Sequence, residues 1–587
     1  METAWTHWQS LIAGQLGEQL GETVSADELV APPDPALGDF SFACFKLAQT
    51  VKKNPAQLAK QIAKDFSPPP GLELDRVEAA GPYVNFSISV GDAVHRVIRD
   101  VEVARNDYGK APVAPKEHAL FEYANPNTHK EIHIGHLRMI VLGVSLLRIM
   151  RAWGVPVTPV SYINDVGSNV SKCLWYLVKK SGSDLRALTQ KQAKALLAEV
   201  APDDRDARYL GAMYTEATQF VEENPDAKEE ISFVQQQLEA HEKAWEYLWQ
   251  ETRRWSLEEI QSIFKELGVE IDRQYFESEI LDRGKEIVAE LMEKGIAIES
   301  QGAIIVDLEE QGLGAFLIRK TDGTLLYSAK DLALAELKNE EYPRVKQSLL
   351  LVDSRQSLYF RQLFETLGRI GLPQTFEQVG FEIVTLKEGV MSSRKGNVIT
   401  YESFRDAVVD FAKEEIIKRH SDWNDGKVAH TAWALAVAGI KFAMLRQDSD
   451  KKIVFDMEQA LSFDGNTGPY CQYAATRLSS IIRKSGSALD NKRALTRAFE
   501  HPMEKRLAMS IAQFPAALRR AVDERKPSHV AAWCFETAQR ISDFYRDVPV
   551  LDAPEEIREG RIRLSAAVLS VLQKGLDLLG IPLPDEM

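Results

Sequence analysis

Long apolar runs are missing from this 587-residue sequence, and no stretch approaches the ~20 uninterrupted apolar residues that cross a bilayer. No membrane segment is therefore expected. Cysteine is scarce: Cys44, Cys173, Cys471 and Cys534 are scattered without a CxxC pair, which excludes a zinc knuckle or a disulfide framework and fits reduced thiols in the cytoplasm. The start, METAWTHWQSLIAGQL, has no basic segment followed by an apolar run and a small-residue cleavage site, so it reads as an amphipathic helix and export is not expected. Positive charge is not in excess either. A net charge of −15 disfavours indiscriminate binding to polyanions and leaves any nucleic-acid partner to local basic patches. Internal repeats and low-complexity tracts are also absent.

What is present is the text of a folded, multi-core protein. Hydrophobic residues make up 45% and charged residues 27%, and the length predicts roughly three or four domains at the usual ~100–200 residues each. In the first segment Asn54 and Pro55 suit a helix start ahead of AQLAKQIAKDF, and Pro68, Pro69 and Pro70 break that helix. Val84, Phe86, Ile88 and Val90 alternate with polar residues, predicting a strand with one buried face. Residues 1–110 thus read as a small α+β domain.

From Ala119 the text changes. LFEYANP is an apolar strand stopped at Pro126, a helix runs from about Gly135 to a terminator at Gly154, and VPVTPVSYIND is another strand. Strand, helix, strand with short joints is a βαβ unit, which implies a parallel sheet with a ligand site at the carboxyl ends of its strands. Residues 170–290, rich in Glu, Lys, Gln and Ala at helical spacing, read as an insertion into this fold. The sheet is expected to resume in AIIVDL, SLLLVD and FEIVTL between about 300 and 400, closing a domain of residues 111–400. A connecting helical segment spans 401–454, and 455–587 reads as helix almost throughout. The fold class is α/β: a Rossmann-like parallel-sheet domain with helical insertions, an N-terminal α+β domain and a C-terminal all-α helical bundle.

The chemistry concentrates in FEYANPNTHKEIHIGHLR, residues 121–138. His133 and His136 flank Gly135 at a strand-to-helix junction, where unpaired backbone N–H groups and the positive helix end attract phosphate and a missing Cβ lets a flat base approach. Each imidazole can donate to phosphate oxygens and so stabilise charge that builds up in a transition state. The polar run Asn125, Asn127, Thr128, His129 and Lys130 supplies more donors than a structural turn needs. A zinc site is the competing reading of clustered histidines, but the helix carries no carboxylate or cysteine partner at a recognisable spacing, so no metal ligand and no structural zinc are expected.

This string resembles the HIGH signature of class I aminoacyl-tRNA synthetases, in the form found in arginyl-tRNA synthetases, where a lysine stands three residues before the first histidine; here that residue is Lys130. GVMSSRKGN, residues 389–397, resembles the second class I signature, the KMSKS loop, with Val390 and Ser393 in its two lysine positions. The cation that meets charge on the departing pyrophosphate must then come from elsewhere. Lys130 is the expected substitute, with Arg394 and Lys395 as helpers. The resemblance implies ATP, carrying Mg2+, bound by His133, Gly135, His136, Met391, Ser392, Ser393, Arg394 and Lys395, with His133, His136 and Lys130 catalytic.

A guanidinium is a rigid fork that pairs with carboxylates, and Glu122 and Asp331 are the candidate partners; Tyr327, four residues before Asp331, would share its helical face. The resemblance places L-arginine contacts at Glu122, Asn125, Asn127, His136, Tyr327, Asp331 and Gln356. It also extends end to end. GDFSFACFKLA and AAGPYVNFSIS resemble the domain that arginyl-tRNA synthetases add to grip tRNA, and the carboxyl-terminal helices resemble their anticodon-binding domain, with Tyr470, Tyr473, Arg477, Arg519, Arg520, Arg525 and Lys526 as candidate contacts to tRNA(Arg). A monomer is expected.

Three alternatives stand beside this expectation. A class I synthetase for another amino acid would keep the histidine string without acidic residues at both 122 and 331. A non-catalytic tRNA-binding relative would lose the polar groups of the site, and an unrelated nucleotidyltransferase of the same superfamily would lack the long helical carboxyl-terminal domain.

Overall fold

The computed structural model describes residues 3–321, 323, 325–387, 399–486 and 499–587. Its amino-terminal part is a four-stranded sheet in the order Leu29–Val30, Phe40–Ala43, Tyr83–Ile88, Leu74–Ala80, packed with the helices Ala4–Leu20, Pro55–Asp65 and Val90–Ala104. The Asn54 side chain accepts from the N–H groups of Ala56 and Gln57, capping the helix that Pro55 opens. The strand at 83–88 departs from the single buried face read in the sequence. Val84, Phe86 and Ile88 are buried, but so are Asn85 and Ser87, so both faces are covered. Val90 lies outside the strand because Ser89 accepts from the Asp92 N–H and starts a helix there.

Five parallel strands, β1 (Ala119–Glu122), β2 (Val157–Ile163), β3 (Arg273–Phe276), β4 (Gln347–Asp353) and β5 (Thr375–Phe381), form the central sheet in the order β5-β4-β1-β2-β3. The buried helix α1 (Ile134–Trp153) crosses from β1 to β2 and ends at Gly154, whose φ of 102° only glycine adopts without strain. Strand β1 is flanked by β2 on one side and β4 on the other. It is therefore the point where the winding reverses and a crevice opens beyond the strand ends.

Between β2 and β3 lie α2 (Ser168–Lys180), α3 (Gln190–Glu199), α4 (Ala207–Glu223), α5 (Ala227–Glu239) and α6 (Lys243–Leu267), with a core of their own around Trp175 and Trp245. This inserted lobe ends earlier than the 290 read from helical spacing. Strand β3 intervenes, and α7 (Glu277–Glu293) follows it. β3 has little signature in the sequence because it is a short edge strand: Tyr275 is fully buried while Arg273, Gln274 and Phe276 are only partly so, and a polar edge carries little apolar signal.

Two further segments pair differently from what their sequence suggests. AIIVDL (Ala303–Leu308) belongs to a separate antiparallel sheet with Ile298–Ser300 and Gly314–Arg319, a distinction that apolar alternation alone cannot make. FEIVTL divides: Phe381 ends β5, Glu382 and Ile383 lie outside any strand, and Val384–Leu386 pairs in parallel with Ile453–Phe455. Helices α8 (Tyr327–Glu341) and α9 (Ser357–Ile370) flank the sheet as read.

Beyond it, the helix Asp425–Leu445 is long and apolar enough to cross a membrane, but 72% of its apolar window is buried inside the protein. The last bundle comprises Gly468–Ser485, Pro502–Ala512, Phe514–Asp523, Ser528–Asp547 and Glu555–Leu578. The run 504–524 reads as one helix in the sequence but is broken at Gln513, two residues before Pro515, a residue that cannot donate to a continuing helix. Arg138, buried in α1, joins three segments by donating to the carbonyls of Glu382, Lys451 (2.7 Å) and Asp448 (3.3 Å). Lys526–Asp448 (2.8 Å) and Arg525–Glu377 (3.4 Å) tie the bundle to the same region.

Candidate functional site

The site grows from the loop after β1. His133 is the N-cap of α1, and its Nδ1 accepts from the Gly135 N–H (3.1 Å) while Nδ1 of His136 accepts from the His133 N–H (3.3 Å). An imidazole nitrogen that accepts carries no proton, so in both rings the proton sits on Nε2, free to donate outward. The rings stack with centroids 3.8 Å apart. Burial, then the Lys130 charge, holds the His133 pKa below its usual value, and burial with the charges of His133 and Lys130 takes His136 to about 3. Both rings are neutral donors at physiological pH. A Cβ on Gly135 would come within 2.9 Å of the His133 ring, so glycine here makes room for the histidine.

The end of the candidate ATP loop is stitched to this junction. Ile134 N–H donates to the Ile399 carbonyl (3.2 Å), and Tyr401 N–H to the Ile132 carbonyl (2.7 Å). Val390, Met391, Ser392, Ser393, Arg394 and Lys395 lie outside the described residues.

A cavity of about 950 Å³ opens at the carboxyl ends of β1 and β4, lined by Glu122, Asn125, His133, Gly135, His136, Tyr327, Asp331 and Gln356 among others. Eight of the sequence-chosen residues thus meet in one place. Asn127 and Lys130 do not line it. Asn127 is held in a backbone bridge to Asn164, which takes its place in the wall. Lys130 lies with its ammonium 4.5 Å from the centre of the Tyr214 ring on α4.

Among the described residues the carboxylates around this cavity are paired with one exception. Glu122, at the end of β1, is buried; its Oε1 accepts from Asn125 (2.8 Å) and its Oε2 from Lys338. Glu277 pairs with Lys330, and Asp165 with Arg253 (2.6 Å) and Ser278. Asp331, one turn into α8 from the exposed Tyr327, has no ion pair among the described residues, where it accepts from the Tyr359 hydroxyl. Part of its surface faces the cavity. Burial, opposed by the Tyr359 hydrogen bond and reinforced by the Glu122 charge, pushes its pKa up to about 7. Asp331 does not cap a helix; Tyr327 begins α8 four residues earlier.

Tyr162, Lys338 and Tyr359 are among the wall residues that the sequence does not single out. The Tyr162 hydroxyl is buried without a hydrogen-bond partner among the described residues, near a group of acidic charges led by Asp331. Its inward position on β2 was readable, but its orphaned oxygen was not.

The candidate tRNA contacts separate into groups. Arg477 lies over the ring of Tyr473 (4.3 Å), and Tyr470 bonds Ser542 (3.2 Å) on the same helix-pair surface. Arg519 and Arg520 are exposed and paired within their helix to Asp523 and Glu524. Arg525 and Lys526 are engaged in the ties to Glu377 and Asp448 that seat the bundle.

Comparison with known proteins adds family membership to this geometry. A family described as "tRNA synthetases class I (R), catalytic domain" matches residues 98–457, "DALR anticodon binding domain" matches 471–587, and "Arginyl tRNA synthetase N terminal domain" matches 6–88. The arginine–tRNA ligase of Bdellovibrio bacteriovorus is 34% identical over 577 residues, covering 95% of this chain and 94% of that protein. That of Clostridioides difficile is 31% identical, covering 96% and 97%. The arginyl-tRNA synthetase structure from Thermus thermophilus superposes with a TM-score of 0.78 at 24% identity, covering 100% of both chains, a likeness of fold.

Proposed function

The chain belongs to the arginyl-tRNA synthetases, class I enzymes that join arginine to tRNA at the expense of ATP, and on that premise we propose how its residues divide the work. Arginine occupies the cavity at the ends of β1 and β4, its guanidinium on Asp331 with the Tyr162 hydroxyl beside it and the Tyr327 ring at the mouth. Glu122, Asn125 and Gln356 hold the rest of the amino acid, and Asn127 acts through the loop it braces. The observation that carries this reading is the charge pattern: among the described carboxylates around the cavity Asp331 alone lacks a cation, and a guanidinium supplies one in bidentate form.

ATP lies over the His133–His136 junction, in contact with Gly135 and the 391–395 loop. The arginine carboxylate oxygen forms a bond to the α-phosphorus and the bond to pyrophosphate breaks. The two Nε2–H groups donate to the phosphate oxygens as charge moves onto them, and Lys130 meets the departing pyrophosphate. A ribose hydroxyl of the terminal adenosine then attacks the arginyl carbonyl, AMP leaves, and the hydroxyl proton departs with it. Mg2+ would ride on the phosphates of ATP; among the described residues no group of three or more His, Cys, Asp or Glu is gathered to hold an ion.

The labour divides along the chain: 1–110 grips tRNA, 111–400 activates arginine around the inserted lobe, 401–454 connects, and 455–587 reads the anticodon. Tyr470, Tyr473 and Arg477 form a half-buried cluster of aromatic and basic groups there, while Arg519 and Arg520 are more exposed but paired within their own helix. We take the enzyme as a monomer of the cytoplasm, consistent with four buried free thiols. Pyrophosphate exchange into ATP, with each amino acid and with and without tRNA, tests the reading. Exchange confined to arginine and lost in Asp331→Asn supports it; undiminished arginine exchange in Asp331→Asn removes the assigned site.

A further inference from the structure

Three consecutive residues before the histidine junction are each seated on the inserted lobe. His129 is fully buried with a φ of 60°, a strained conformation for a non-glycine residue. Its N–H donates to Ser256 Oγ (3.0 Å) and its Nε2 shares a hydrogen bond with Thr252 Oγ1 (2.8 Å), both on α6. Lys130 lays its ammonium 4.5 Å from the centre of the Tyr214 ring on α4. Glu131 fills the space left by Gly211 on that same helix, where an added Cβ would come within 3.1 Å of its Oε2. The Tyr214 ring is itself oriented, its hydroxyl donating to Asn169 Oδ1 (3.2 Å) on α2, and a second ammonium, Lys172, lies 5.1 Å from the ring centre.

We propose that Tyr214 is a positioning residue for arginine activation, its ring holding the Lys130 ammonium at the edge of the phosphate site. This rests on the assignment of Lys130 as the cation that meets pyrophosphate. Lys130 has no ion pair among the described residues, and its charge is felt at both His133 and His136. A four-carbon stem with a free end has many rotamers to lose; a π-face limits them without neutralising the charge as a carboxylate would. The loop backbone, strained at His129 and pinned to α6, fixes where that stem begins. The inserted lobe thereby sets both ends of Lys130, although it contributes none of the arginine contacts assigned in the cavity.

A double-mutant cycle between Tyr214 and Lys130 tests this, read as kcat and KM in pyrophosphate exchange with tRNA present. Tyr214→Leu is expected to lower kcat roughly 3- to 30-fold, the range of a cation–π contact, with KM for arginine unchanged. Tyr214→Phe, which keeps the ring, should stay near wild type, and Tyr214→Leu should cost nothing further in a Lys130→Ala background. Transfer from preformed arginyl-adenylate should be unaffected. Wild-type exchange in Tyr214→Leu, an equal loss in Tyr214→Phe, or the same factor lost in the Lys130→Ala background each overturns the proposal. Near-normal exchange in Lys130→Ala itself instead overturns the assignment on which the proposal stands.

Discussion

The Tyr359 hydroxyl donates to Asp331, a carboxylate enclosed with Glu122 and Glu277 nearby and, among the described residues, no cation in contact with it. The free enzyme thus carries a cation-shaped deficit, filled in part by one phenol.

Asp331→Asn is expected to lower kcat/KM for arginine by about 30-fold or more, since removing one partner of a buried charged pair costs ~2–5 kcal/mol. The fold should not weaken, because the amide removes a group whose ionised form is penalised by burial. Steady-state exchange kinetics beside a thermal melt check both halves; a drop of only two- or threefold would place the guanidinium elsewhere.

The pH dependence has a definite sign. The Asp331 pKa is raised from 3.8 to about 7 in the free protein, so its acid form is the one that folding favours. Its contribution to stability is present below pH 4 and is lost as pH rises through 7. Arginine needs the ionised form, so kcat/KM for arginine should climb between about pH 6 and 8, and binding near pH 7 should release a proton. Calorimetry in two buffers of different ionisation enthalpy measures that release; identical apparent heats would contradict it.

Lys338→Met strands Glu122 in a buried place and is expected to destabilise the protein by ~3–5 kcal/mol. Adding Glu122→Gln should recover most of this. Chemical denaturation of the two variants decides, and a double variant no better than the single one would show that the pair is not an energetic unit.

Lys130→Ala should leave the melting behaviour unchanged and reduce activation by about 10²–10³-fold, the usual loss when one group stabilising a transition-state charge is removed. Near-normal turnover would transfer the role to Arg394 or Lys395.

Much of this architecture was legible because periodicity reports local burial. The unit from β1 through α1 to β2 declares itself by an apolar strand, a capped helix and Gly154. β3 did not, since a polar edge strand has no such signature. Within the site, Glu122, Asp331 and the two histidines stood out as residue types, yet the groups that set their charge state did not. Lys338 reaches Glu122 across 216 residues of sequence and Tyr359 reaches Asp331 across 28, and no local pattern encodes contacts at such separations. Arg525 and Lys526 show the converse: basic residues that suggest an RNA surface are committed to another domain.

Arg138 differs from those two in the partners it uses. Lys526 and Arg525 meet carboxylates at a partly exposed rim, where dissolved ions weaken attraction over a Debye length of ~8–10 Å. Arg138 is buried and its hydrogen bonds among the described residues all go to backbone carbonyls, with the Glu382 and Asp450 charges nearby; burial lowers its pKa to about 10, which still leaves it charged at neutral pH. Carbonyl dipoles cannot be exchanged for chloride or protonated away. As ionic strength rises the rim contacts should slacken first while this inner joint persists, so concentrated salt is expected to loosen the bundle's seating before it parts the 448–451 segment from α1.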